Sequence, residues 1–192
     1  MFAAIALLTA IPALLLSSPR YLTVCTATPK SDAVILFVGP GMKARQQEVE
    51  ALIREGVASF LLTPAFGSID HPGTRLNSKR SGISKPIEGC SKRGFKNIHI
   101  YEDTHLEMLT ARRMMERLGL RSAVLVSSPY HIRRVRLIAK RVFSDAKYRI
   151  YCRPSRYGDP ISPACWLDAE NAKTLLSEIV KIGWFLIYEP FF

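Results

Sequence analysis

A chain of 192 residues allows one domain with one sizeable core. Its hydrophobic fraction of 48% and charged fraction of 22% are those of a folded domain rather than a disordered tail. The formal net charge of +11 predicts attraction to an anionic partner, such as phospholipid headgroups, phosphorylated lipids, acidic glycans or nucleic acid; a basic solvated surface without a partner explains it equally well.

Residues 1–16 carry no charge and are apolar apart from Thr9 and Pro12. The run is shorter than the ~20 residues of a full transmembrane helix and lacks the positive start of a secretory signal. Residues 1–24 therefore read as an uncleaved hydrophobic anchor or a signal-like segment. Arg20 and Lys30 follow it, and on the positive-inside rule they argue for a cytoplasmic domain. The folded domain is expected over residues 30–192.

Residues 32–38 form an apolar run that ends at Gly39-Pro40-Gly41, which fits a buried parallel strand and a glycine turn. Residues 43–55 read as a helix with Val49, Leu52 and Ile53 on one side and Gly56 as its stop. Residues 59–63 give a second strand and complete a βαβ unit. Residues 67–97, rich in Gly, Ser, Lys and Arg, read as a mobile basic loop over the sheet edge.

A third strand is expected at residues 98–101. A helix then runs to about Leu118, with Met108, Ala111, Met115 and Leu118 as its buried stripe. A strand at residues 122–127 is followed by a helix from Ser128 to about Phe143, with Pro129 suited to its first position. Residues 148–152 supply another strand, and a last helix covers about 167–188. Strands alternating with helices predict an α/β fold: a Rossmann-like, doubly wound, mainly parallel sheet with helices on both faces. Ligands in such folds bind at the carboxyl ends of the strands.

Three clusters fall at that edge. The Gly39-Pro40-Gly41 turn offers backbone N–H groups to an anion, although a tight turn alone also explains it. In Glu102-Asp103-Thr104-His105-Leu106-Glu107, Thr104 and Glu107 match a capping box, whereas Glu102 has no such local role and is the better candidate for acid–base work. In the segment from Ser127 to Arg134, Ser128 and Arg134 favour an oxyanion at a helix start, and His131 suits proton transfer near neutral pH; Ser128 as a simple N-cap is the bland reading. Arg133, Arg134, Arg136, Lys140 and Arg141 make the following helix basic, but no nucleic-acid-binding motif accompanies the charge, which argues against nucleic acid.

None of Cys25, Cys90, Cys152 and Cys165 forms a C-x-x-C pair, so nothing suggests a metal site. The aromatic and apolar stretch 182–192 suits contact with a bilayer interface, or packing on the sheet.

At these clusters the chain resembles the YdcF/SanA/ElyC family of bacterial domains. The residues that carry the resemblance are Val38-Gly39-Pro40-Gly41, the arginine-led helix from Arg45 to Gly56, the Glu-x-Thr-x-x-Glu element at 102–107, and the Ser-x-Tyr-His-x-x-Arg element at 128–134. Pro40 between the glycines and Asp103 depart from the usual pattern. The resemblance implies a Rossmann-like domain anchored in the inner membrane and facing the periplasm, against the charge argument above. It implies a pocket lined by Gly39, Gly41, Arg45, Glu102, Thr104, Glu107, Ser128, Tyr130, His131 and Arg134, with Glu102 and His131 as proton-handling residues. It also suggests either an anionic lipid-linked or polysaccharide ligand or S-adenosylmethionine. A non-enzymatic membrane scaffold is the third alternative.

Overall fold

The computed structural model describes residues 20–70, 102–158 and 166–191. In chain order these form β1 (Ala33–Leu36), α1 (Met42–Arg54), β2 (Phe60–Thr63), β3 (Ser68–Asp70), α2 (Asp103–Leu118), β4 (Ser122–Ser127), α3 (Ile132–Val142), β5 (Arg149–Pro154), α4 (Ala169–Tyr188) and a final 3-10 turn (Glu189–Phe191). The fold is α/β: a five-stranded mixed sheet in the order β3-β2-β1-β4-β5. Only β3 runs antiparallel, paired with β2 through Leu61–Asp70, Leu62–Ile69 and Thr63–Ser68.

Why β1 and β4 are unbroken apolar runs follows from their place at the centre of the sheet. All of β1 and β4 is buried, and successive residues face opposite layers. Val34, Leu36, Val124 and Val126 pack with Val49 and Leu52 of α1 on one face. Ala33, Ile35, Ala123 and Leu125 pack with Met108, Met114 and Met115 of α2, Ile132, Val135 and Ile138 of α3, and Phe185 and Tyr188 of α4 on the other. Asp32 fixes the register at the strand starts: its Oδ2 accepts from the N–H of Arg121 (2.8 Å), the N–H of Ser122 (2.7 Å) and the Ser122 hydroxyl (2.8 Å).

The elements expected from periodicity appear within a few residues of their anticipated ends, with local differences. The basic loop expected from residue 67 begins instead with β3, because Ser68 and Asp70 are buried against β2; the rest of that loop and the strand expected at 98–101 lie outside the described residues. The capping box at Thr104 and Glu107 does not form. Glu102 occupies the N-cap of α2 without a side-chain cap, and Thr104 and Glu107 are buried. The helix expected from Ser128 begins only at Ile132, because a turn holds Ser128 to Tyr130, with the N–H of His131 and of Ile132 donating to the Ser128 carbonyl at 3.1 and 3.0 Å. Among the described residues no helix is long and apolar enough to cross a membrane. The apolar run 1–16 lies outside them. Among the described residues, Cys25 and Cys152 are free thiols.

Candidate functional site

The chain leaves β1, runs through α1 to β2 on one side, and returns to β4 on the other. The ends of β1 and β4 therefore diverge, and this is where an open α/β sheet provides a crevice. A cavity of about 390 Å³ lies there, lined by Gly41, Lys43, Ala44, Arg45, Gln47, Ser128, Pro129, Tyr130, Ser155, Tyr157 and Gly158.

One wall is the start of α1. Its N-cap, Gly41, has a left-handed backbone (φ 74°) and supplies no side-chain cap, and the first turn carries no acidic residue. The free N–H groups and positive dipole end of α1 thus meet the cavity beside Lys43. Arg45 follows one turn in and is 1% exposed. Its NH1 donates to the Phe37 carbonyl (2.8 Å) and its NH2 to Ser128 Oγ (2.9 Å), which ties the end of β1 to the turn after β4. Gly39 makes room for this. Its φ is +142°, and a Cβ there would meet Arg45 NH1 at 3.4 Å. Arg45 Nε is buried with no hydrogen-bond partner among the described residues. Burial lowers the Arg45 pKa, while Tyr130, Glu107 and Glu178 favour its charge; a guanidinium stays protonated at neutral pH.

The opposite wall is carried by the segment after β5. Glu48 of α1, fully buried, accepts from Arg153 Nε (2.9 Å), the Arg156 N–H (2.8 Å) and Arg156 Nε (3.2 Å). Ser155 Oγ donates to the Ala44 carbonyl (2.7 Å). These bonds hold Ser155, Tyr157 and Gly158 over the start of α1. No carboxylate is among the described residues that line the cavity.

A second polar group adjoins this one. Arg134 of α3 is 4% exposed, and all three of its nitrogens are engaged. Nε donates to Glu178 Oε2 (2.8 Å), NH2 to Glu178 Oε1 (3.0 Å), and NH1 to Glu102 Oε2 (2.6 Å) and Thr104 Oγ1 (2.9 Å). His131 Nδ1 lies 3.0 Å from Glu178 Oε2 and 2.8 Å from Arg134 NH2. We assign its proton to Nδ1, because donation to a carboxylate is the stronger bond. Burial, only partly offset by Glu178, pushes the His131 pKa down to about 4, so the imidazole is neutral at pH 7. Burial alone would raise Glu178, but the hydrogen bonds from His131 and Arg134 outweigh it and hold its pKa at about 2. Glu102 is shifted upward by burial, against the opposing charge of Arg134, and its Oε1 is buried without a hydrogen-bond partner among the described residues.

Neither family models, curated proteins nor solved structures give a match to this chain.

Of the residues singled out in the sequence, Gly41, Arg45, Ser128 and Tyr130 line the cavity, and Gly39 packs on Arg45. Glu102, Thr104, His131 and Arg134 gather in the adjoining network, away from the cavity lining. Glu107 is buried and contributes to the field at Arg45. The structure thus separates a cavity at the start of α1 from a closed ion-pair cluster. Arg134, expected to hold an anion, is instead occupied by two carboxylates of its own chain.

Sequence reasoning missed Lys43, Gln47, Ser155, Tyr157 and Glu178. Only Glu178 left a legible signal. It shares the buried face of α4 with Leu175, Ile182 and Phe185, and a carboxylate on an apolar stripe must have a buried partner.

Proposed function

We propose that the cavity binds the phosphate group of a phosphorylated ligand, of the lipid-linked or polysaccharide-precursor class, in a membrane-tethered protein of the YdcF/SanA/ElyC type with a Rossmann-like, doubly wound domain. The observation that carries this reading is the uncapped start of α1, which faces a cavity beside Lys43 and Arg45 with no carboxylate among its described lining residues. Backbone N–H groups, the helix dipole, one ammonium and one guanidinium all favour the same charge there. The hydroxyls of Ser128, Tyr130 and Tyr157 suit the phosphate oxygens or neighbouring sugar hydroxyls.

The unpartnered Nε of Arg45 supports the reading. Its side chain is held in place by Phe37 and Ser128, so no ordering cost falls on the ligand. Neither Glu102 nor His131 lines the cavity, so the proton-handling role proposed for them requires a ligand that extends from the cavity to the adjoining cluster. The periplasmic placement of the domain belongs to the same proposal.

S-adenosylmethionine ranks second. The glycine turn after β1 suits a nucleotide-type ligand, but the sulfonium and ammonium of this one would meet Lys43 and Arg45. Mass spectrometry of molecules co-purifying with the detergent-extracted chain tests both readings. A phosphorylated lipid or glycan present with the native chain and depleted with Lys43→Ala supports the proposal. S-adenosylmethionine in its place, or the same phosphorylated species retained undiminished by Lys43→Ala, rejects it.

A further inference from the structure

The helix α4 has two apolar faces, and the body of the protein uses one. Leu175, Glu178, Ile182, Phe185 and Tyr188 turn inward. On the other side Leu176, Val180, Trp184 and Ile187 are 56, 62, 49 and 63% exposed. Their spacing of four, four and three residues sets them in one stripe, roughly 16 Å long at 1.5 Å per residue. Leu186 widens the stripe, and it is also exposed. Single exposed apolar residues are ordinary, but a continuous stripe on one helix marks a surface that something covers.

Three observations identify the cover. Cations border the helix: Lys173 and Lys181 stand exposed on α4, beside Glu170 in its first turn and Glu178, 3.9 Å from Lys181, and Arg133 of α3 lies over the Tyr21 ring at 3.9 Å. The whole chain carries +11, which opposes close approach of a second copy and favours an anionic surface. Finally, the chain that follows the uncharged run 1–16 enters the fold on this helix. Leu22 is fully buried and packs with Leu175 and Ile182.

We propose that α4 docks its exposed face on a lipid bilayer bearing anionic headgroups, lying in the interface rather than crossing it. Leu176, Val180 and Ile187 enter the acyl boundary, Trp184 sits at headgroup level, and Lys173 and Lys181 meet the phosphates. Tyr130 links the inward face of α4 to the cavity, because it lines the cavity and also packs on the buried cluster of Leu22, Leu175 and Ile182. The inference stands on the α4 face and does not depend on what the cavity binds.

The test uses the full chain with Trp166→Phe, so that Trp184 alone fluoresces, and vesicles of phosphatidylcholine and phosphatidylglycerol with brominated acyl chains. The expected result is quenching of most Trp184 emission, weaker quenching with phosphatidylcholine alone, and loss of quenching when Val180→Ser and Ile187→Ser are added. Those two side chains are exposed, so the variant keeps its fold. Absence of vesicle binding overturns the proposal. So does a vesicle-bound protein with unquenched Trp184, which would be held by residues 1–16 alone. Protection of Trp184 from acrylamide without lipid also overturns it: protection that grows with protein concentration assigns the face to a second copy, and protection independent of concentration assigns it to the chain's own N-terminal run.

Discussion

Arg134 and Glu178 meet fork to fork, with Nε–Oε2 at 2.8 Å and NH2–Oε1 at 3.0 Å, both side chains being buried. This pair locks α3 to α4 and sets the orientation of His131 and Glu102 around it. Paired charges in an apolar interior are costly to separate, because the survivor keeps its desolvation penalty. Glu178→Gln is therefore expected to lower unfolding free energy by about 3–5 kcal/mol in urea titration. Arg134→Met should cost a similar amount. The double variant should fall short of the sum by at least about 1 kcal/mol, because the two changes remove one shared interaction. Additive losses would show that the two side chains do not act as a pair.

Stability should depend on acid through His131. Its folded pKa of about 4 lies below the ordinary value of 6.5, so between pH 6.5 and 4 the unfolded chain binds the extra proton. Stability then falls as pH drops through that window, by up to about 1.4 kcal/mol per pH unit. His105 adds in the same direction: burial lowers it to about 4, and its Nδ1 lies 3.0 Å from the Tyr188 hydroxyl. Glu178, held at about 2, contributes stability that is lost only below pH 4.5. Glu102, shifted upward, works in the opposite sense, because its folded form holds a proton that the unfolded form gives up. Urea titrations at pH 7.5, 5.5 and 4.5 should show a progressive loss that His131→Gln makes shallower. A flat profile, or one unchanged by His131→Gln, would contradict the neutral, buried imidazole.

The turn after β1 should tolerate no side chain at Gly39. A φ of +142° is strained for any L-residue, and the Cβ would sit in contact with Arg45 NH1 at 3.4 Å. Gly39→Ala is expected to cost roughly 1–3 kcal/mol and to weaken phosphate binding by shifting the turn between β1 and α1. Gly56→Ala is the control. Its φ of +69° lies in the milder left-handed region and its Cβ would meet open space beyond the far end of α1, so it should destabilise less and leave binding untouched. Equal effects of both changes on binding would remove the turn after β1 from the site.

Cysteine reactivity should split in a Cys90→Ser/Cys165→Ser background. Cys25 is exposed, whereas Cys152 is buried and its thiol is pushed up to about 11 by burial. Alkylation at pH 8 should modify Cys25 and leave Cys152 intact until the protein unfolds. Prompt labelling of Cys152 in the folded chain would contradict its burial.

The sheet was legible because its central strands are buried on both faces and therefore read as unbroken apolar runs. β3 was not, since Ser68 and Asp70 are polar and are buried only through pairing with β2. The turn at Ser128 to Tyr130 was read as helix on the strength of Pro129, yet the Ser128 side chain is taken by Arg45 rather than by a cap. Thr104 and Glu107 matched a capping box locally, and tertiary packing overrode it by bringing Arg134 onto Thr104. Gly41, Arg45, Ser128 and Tyr130, singled out in the sequence, line the cavity at the strand ends. Lys43, Ser155 and Tyr157 did not, because only folding brings the segment after β5 over the start of α1.

The most direct test of the anion site is a phosphate titration of the 15N-labelled full chain in detergent, followed by NMR at constant ionic strength. Saturable shifts of the Met42, Lys43 and Ala44 amides are expected, absent with chloride and weakened about tenfold or more by Lys43→Ala, the equivalent of roughly 1.4 kcal/mol. Amides that do not move, or that move alike for phosphate and chloride, would contradict a phosphate-binding cavity at the start of α1.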